Sequence, residues 1–157
     1  MQATYNSWFV TLSIAVAVLT SYTALALAAR VAASQSTMAA RVWLIGGAVT
    51  MGIGIWSMHF IGMLAYSVDL GLRYDMTTTL LSLIVAISTS ACALWFSGGV
   101  QLGSGRLAGG ALLMGSGISI MHYSGMSAIR VTPAIAYDPV LVAASVALAV
   151  AASFAAL

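Results

Sequence analysis

Five stretches of about 20 almost uncharged residues, separated by short segments that hold every arginine and aspartate, constrain this chain more than any other feature. The runs are Trp8–Ala29, Val42–Tyr66, Met76–Phe96, Leu107–Ile129 and Val140–Leu157. Coiled as helices, runs of this length match the hydrocarbon core of a bilayer, where every backbone polar group must be bonded within its own segment. The expected fold is therefore all-α, a polytopic membrane helix bundle with about five transmembrane helices. The charged fraction agrees: it is 5%, against about 25% in soluble domains.

The remaining composition excludes several classes. A net charge of +2, from five arginines and three aspartates with no lysine or glutamate, is too sparse for binding nucleic acid by counter-ion release. Cys92 is the single cysteine, so no disulfide or CxxC site exists. The first apolar run lacks a preceding basic region and is too long for a signal peptide. No carboxylate lies inside a run and no nucleophile–base pair is evident, so this chain reads as non-enzymatic.

Four connecting segments follow: Arg30–Arg41, Ser67–Asp75, the Gly/Ser-rich Ser97–Arg106, and Arg130–Pro139, whose two prolines rule out a continuing helix. Arg30, Arg41 and Arg106 fall on one side, Arg73 and Arg130 on the other. The positive-inside rule then places the N-terminus outside, periplasmic in a bacterial inner membrane. Tyr5, Trp8, Tyr66, Tyr74 and Tyr137 form the outer aromatic belt, Trp43 and Trp95 the inner one.

The two histidines occupy one repeated phrase. Residues 46–65, ending Trp56-Ser-Met-His-Phe-Ile-Gly-Met-Leu-Ala65, align without gaps to residues 109–128, ending Ser119-Ile-Met-His-Tyr-Ser-Gly-Met-Ser-Ala128. The offset is 63, and twelve of the twenty aligned positions are identical. The odd-numbered runs echo more faintly, with Ser21, Ser88 and Ser153 taken as equivalent. The unit is a two-helix hairpin repeated in parallel, and residues 1–157 read as one membrane domain that stops just inside a third repeat.

At helical spacing His59 and Met63 share a face, as do His122 and Met126. Met51, Met58 and Gly62 form a neighbouring stripe, repeated as Met114, Met121 and Gly125. Imidazole and thioether suit Cu(I), and imidazole alone suits Cu(II) or haem iron. The candidate metal ligands are Met58, His59, Met63, Met121, His122 and Met126. Glycines along both runs allow the helices to approach closely enough to bring His59 and His122 into one site. The bland reading stands beside this: methionines pack, glycines make tight contacts, and a membrane histidine bonds a neighbouring helix. Met51 and Met114 read as packing residues. A haem with histidine axial ligands and a metal transporter or channel remain alternatives.

Met58-His-Phe-Ile and Met121-His-Tyr-Ser, each followed by Gly-Met, resemble the MHYT domain, a bacterial integral-membrane sensor family, as does Ser21-Tyr-Thr-Ala-Leu25. The resemblance covers essentially the whole chain. It implies paired spans with three such motifs near the outer face, and fusion to cytoplasmic output modules, cyclic-di-GMP enzymes among them. It also implies copper at the motifs, sensing a diatomic gas such as oxygen, carbon monoxide or nitric oxide. Phe60 and Ile61 in the first copy, and Ser124 in the second, depart from the motif, so tyrosine and threonine are not required ligands. The output domain, the ligand sensed and the oligomeric state are not legible in the residues.

Overall fold

The computed structural model describes residues 4–67, 73–97, 103–130 and 135–156. Among these the chain forms five helices: α1 (Ser7–Ala33), α2 (Thr37–Ala65), α3 (Met76–Ser97), α4 (Ser104–Ser127) and α5 (Pro139–Ala156). Four of them, α1, α2, α3 and α5, are long and apolar enough to cross a membrane. Helix α4 has 24 residues, enough to span, but its many glycines and serines dilute its hydropathy. Each helix packs chiefly on the next in sequence. Large apolar side chains such as Leu25, Leu141 and Leu148 are more than two-thirds exposed, as in a protein whose solvent is lipid. This is a multi-pass all-α membrane bundle.

Helix ends follow from local chemistry. Asn6 accepts from Trp8 N (3.0 Å), Ser36 from Ala39 N (3.1 Å) and Asp138 from Val140 N (2.8 Å), each filling an orphan donor of a first turn. Two boundaries move relative to expectation. The Arg30–Arg41 segment shrinks to Ser34–Ser36, because the flanking residues are helix formers and Ser36 supplies a cap. Pro139 opens α5 rather than closing the segment before it, since a first-turn residue needs no N–H donor.

The core is built from small residues. Ala48, Ala65, Ala86, Ala111 and Ala128 are buried, with Ser82, Ser90 and Ser153. Those serines return their hydroxyls to carbonyls of their own helices: Thr79 O at 2.7 Å, Ala86 O at 2.8 Å and Ala149 O at 2.8 Å. Small side chains let backbones approach until dispersion holds them, which replaces the hydrophobic effect inside lipid.

Two features were not foreseen. At one end of the bundle β1 (Thr4–Tyr5) pairs antiparallel with β2 (Tyr66–Ser67), and β3 (Arg73–Tyr74) with β4 (Ile129–Arg130). Each ladder continues into a cap: Asn6 N donates to Ala65 O and Asp75 N to Ala128 O, both at 2.8 Å. The second feature is the register of the odd helices. Gly52 and Gly115 sit against Ile87 and Val150, while Gly54 and Gly117 sit against Thr20 and Thr89. This makes α1 and α3 equivalent at an offset of 69, and α3 and α5 at 63. The matching serines are therefore Ser21, Ser90 and Ser153; the expected Ser88 is two residues out. The six extra residues of the first hairpin lie at its α1–α2 turn, so the ladder end stays in register. Residues 68–72, 98–102, 131–134 and 157, with Asp69 and the end of the fifth expected span, lie outside the described residues.

Asp75 ties one ladder to α3. Its Oδ1 accepts from Thr78 N (2.9 Å) and Thr78 Oγ1 (2.7 Å), and its Oδ2 faces Arg130 at 3.3 Å. The Thr78 backbone bond first, then the Thr78 hydroxyl and Arg130, hold this carboxyl below the usual carboxylate range. A lowered folded-state value adds stability above the unfolded pKa, and that stability is lost as pH falls through the folded value. Asp75→Asn is thus expected to lower the Tm in detergent at neutral pH. The gap from the native chain should narrow below about pH 4, which a Tm series from pH 7 to pH 3 would read.

Candidate functional site

His59 lies in the penultimate turns of α2 and His122 in those of α4, at the ladder end of the bundle. Their rings meet edge to face, centroids 4.9 Å apart at 65°. The close approach is made by glycine: a Cβ built on Gly125 would stand 2.9 Å from His59 Nε2. The missing side chain is the space that the imidazole fills. His59 Nε2 is buried and has no hydrogen-bond partner among the described residues. An unpaired buried polar nitrogen costs about 1–3 kcal/mol, so a group outside the chain is the natural partner for it.

The other candidate ligands are placed unevenly. Met121 is buried, and Met58, Met63 and Met126 are half-buried on the same turns of α2 and α4. Met51 is buried and Met114 half-buried. Among the described residues no group of three histidine, cysteine or acidic side chains stands together as a metal cluster. Any ligand set beyond the two imidazoles must then draw on methionine sulfur, backbone oxygen or an exogenous group.

The motif's aromatic position stands edge-on to its histidine, Phe60 at 5.5 Å from His59 and Tyr123 at 5.0 Å from His122, and also reaches the neighbouring helices. Tyr123 OH bonds Ser145 Oγ of α5 at 2.6 Å. In the first copy Phe60 has no hydroxyl, and Trp56 Nε1 instead reaches Ser82 Oγ of α3 at 3.0 Å. The tyrosine is thus a tie between helices, and a nearby tryptophan serves when it is lost. Ser13, equivalent to Ser82 and Ser145, donates to Met58 O at 2.7 Å and fixes α1 beside the first histidine. These serines were missed in the sequence, although their spacing of 69 and 63 is the signal that finds them. The same spacing relates Tyr5-Asn6, Tyr74-Asp75 and Tyr137-Asp138, a tyrosine before each odd helix cap.

The repeated histidine hairpin also matches a known sequence profile. The MHYT profile, a bacterial signalling protein N-terminal repeat, matches residues 52–110 and 115–157. The chain belongs to the MHYT family. The bifunctional diguanylate cyclase/cyclic di-GMP phosphodiesterase MucR of Pseudomonas aeruginosa is 53% identical over 155 residues, covering 99% of this chain and 22% of that protein. The signalling protein YkoW of Bacillus subtilis is 39% identical over 155 residues, covering 98% of this chain and 19% of its own length. The cyclic di-GMP phosphodiesterase NbdA of Pseudomonas aeruginosa is 40% identical over 154 residues, with 98% and 19% covered. The chain thus spans about a fifth of the length of these relatives. No solved structure matches it. The two matched stretches begin at Gly52 and Gly115, the glycines that seat α3 and α5.

Proposed function

We propose that this MHYT chain is the sensory membrane domain of a signalling protein, binding copper at the His59–His122 pair and responding there to a diatomic gas. The observation that carries the reading is the buried, partnerless Nε2 of His59 beside a second imidazole. His59 and His122 would hold the ion, with thioether sulfur from Met58, Met63, Met121 or Met126 completing the set. Such a soft, neutral donor set suits Cu(I) and brings no carboxylate charge into the bilayer. The bound metal would supply an open coordination position for the gas. The 4.9 Å ring separation favours a single ion over a porphyrin plane between the rings.

The protein's own contribution is positional. Gly125 leaves room for the His59 ring, and Ser13, Ser82 and Ser145 lock the helices that carry both motifs. A change in ligation would act on α2–α4 packing, and it would signal only as far as the two ligation states favour different packings. The relatives' names point to the output, a cyclic di-GMP cyclase or phosphodiesterase outside this stretch, with this chain as the non-catalytic part. An inner-membrane location with a periplasmic N-terminus belongs to the same reading.

Metal analysis of the purified chain after copper loading tests it. Native protein should retain stoichiometric copper, and His59→Ala and His122→Ala should each lose most of it. Equal copper in all three would reject the site.

A further inference from the structure

The helix turns opposite the ladder end carry arginines and no carboxylate. Arg30, Arg41 and Arg106 lie there, whereas Asp69, Asp75 and Asp138 all fall in segments that join an even helix to an odd one. Among the described residues the ion pair Arg130–Asp75 also belongs to the ladder end. A cation at the edge of a low-dielectric slab, with no counter-ion in its own chain, takes one from its surroundings.

Two of these guanidinium groups are laid on aromatic rings. Arg30 Cζ stands 4.5 Å from the centre of the Trp43 ring. Arg106 Cζ stands 5.5 Å from that of Trp95 and 5.8 Å from that of Phe96. The arrangement recurs with its parts exchanged. Trp43 and Arg106 hold equivalent positions, 63 apart. In the first hairpin α1 gives the cation and α2 the ring; in the second α3 gives the rings and α4 the cation. The residue at the equivalent position has changed, so what the two hairpins share is the stacked pair itself. Stacking occupies the flat face of a guanidinium and leaves its in-plane N–H fork free. Arg30 and Arg106 are exposed, and Trp95 is 58% exposed beneath its cation. Each ring therefore holds its charge against the outer wall of the bundle, at the headgroup depth that tryptophan favours.

We propose that each stacked arginine binds the headgroup of an anionic phospholipid, its N–H fork donating to two oxygens of the phosphodiester. Guanidinium and phosphate match in this two-pronged geometry. Toward the middle of the same helices Leu25 and Ile45 are exposed in the first hairpin, Leu112 and Leu113 in the second. They offer the acyl chains an apolar wall below the bound headgroup. A lipid meets cation and wall together, whereas an acidic protein surface would meet only the outward edge of the guanidinium. The bound headgroups grip both hairpins at the end away from the histidine pair, a contact that needs no metal.

Electron spin resonance of spin-labelled phosphatidylglycerol and phosphatidylcholine around the chain, in phosphatidylcholine bilayers, tests this. The native chain should hold phosphatidylglycerol about 5-fold more tightly at two sites, the worth of one interfacial arginine against an anionic headgroup. Arg30→Gln and Arg106→Gln should each remove one site, and the double variant both. Arg41→Gln deletes a charge at the same end that lies over no ring among the described residues, and should leave both sites. Arg30→Lys combined with Arg106→Lys keeps the charge without the flat fork, and should lose most of the preference. Circular dichroism with native helix content in every variant keeps the fold out of the comparison. His59→Ala should retain both sites, so this proposal and the copper reading fail separately. Equal holding of the two lipids by the native chain, which would leave the arginines to an acidic protein surface, overturns the proposal. So does an equal loss in Arg41→Gln, or the full native preference in the lysine pair.

Discussion

Alanine at Gly52 or Gly115 is expected to destabilise the bundle more than any other single methyl group added to it. The new Cβ would stand 2.6 Å from the Cα of Ile87 in the first case and of Val150 in the second. Those neighbours are backbone and cannot swing aside, so the helices must separate. Overpacking of this kind costs about 1–3 kcal/mol, and the small-residue packing that holds helices together in lipid is lost along with it. Gly46 and Gly109 provide the control. Nothing lies within 4 Å of a Cβ at either position, and a mid-helix Gly→Ala change there should be stabilising by about 0.5–1 kcal/mol. Unfolding titrations in mixed micelles would read both effects. Equal responses from the two pairs would show that α2–α3 and α4–α5 do not meet at these glycines.

Gly125→Ala is expected to separate the site from the fold. Here the added Cβ meets a side chain, His59 Nε2 at 2.9 Å and Cδ2 at 3.2 Å. An imidazole at the end of a rotatable bond can move where a backbone cannot. The bundle should therefore keep nearly its native stability while the ring is displaced from His122. If the pair holds copper, affinity should fall about 10- to 100-fold, the range seen when a group orienting a metal ligand is altered. The ¹⁵N imidazole resonances of His59 should shift even without metal. Native copper affinity together with unshifted resonances would mean that Gly125 does not position this ring.

The residues that meet in the site were legible for a plain reason. A histidine is rare in lipid, and two in one phrase at an offset of 63 mark themselves. The even helices align without a gap because their repeat is dense in identities. The odd helices were misaligned by two residues because a short serine-rich stretch offers several local matches. Only contacts across the bundle, Gly54 on Thr20 and Gly117 on Thr89, fix that register. The two-residue ladders escaped notice because a strand so short has no periodicity to read; Tyr5-Asn6 and Tyr74-Asp75 are their trace.

By itself the sequence determined the class of fold, the spans and the duplicated histidine motif. Long uncharged runs have one way to satisfy their backbone in lipid, and identical phrases inserted in the same direction fold alike. The tertiary structure decided which side chains face one another. It brought His59 onto Gly125 and beside His122, tied Tyr123 to Ser145, and left the Tyr74 hydroxyl buried with no partner among the described residues. Those outcomes depend on helix rotation and separation, which are set by the summed packing of small residues across the bundle. No single helix encodes them.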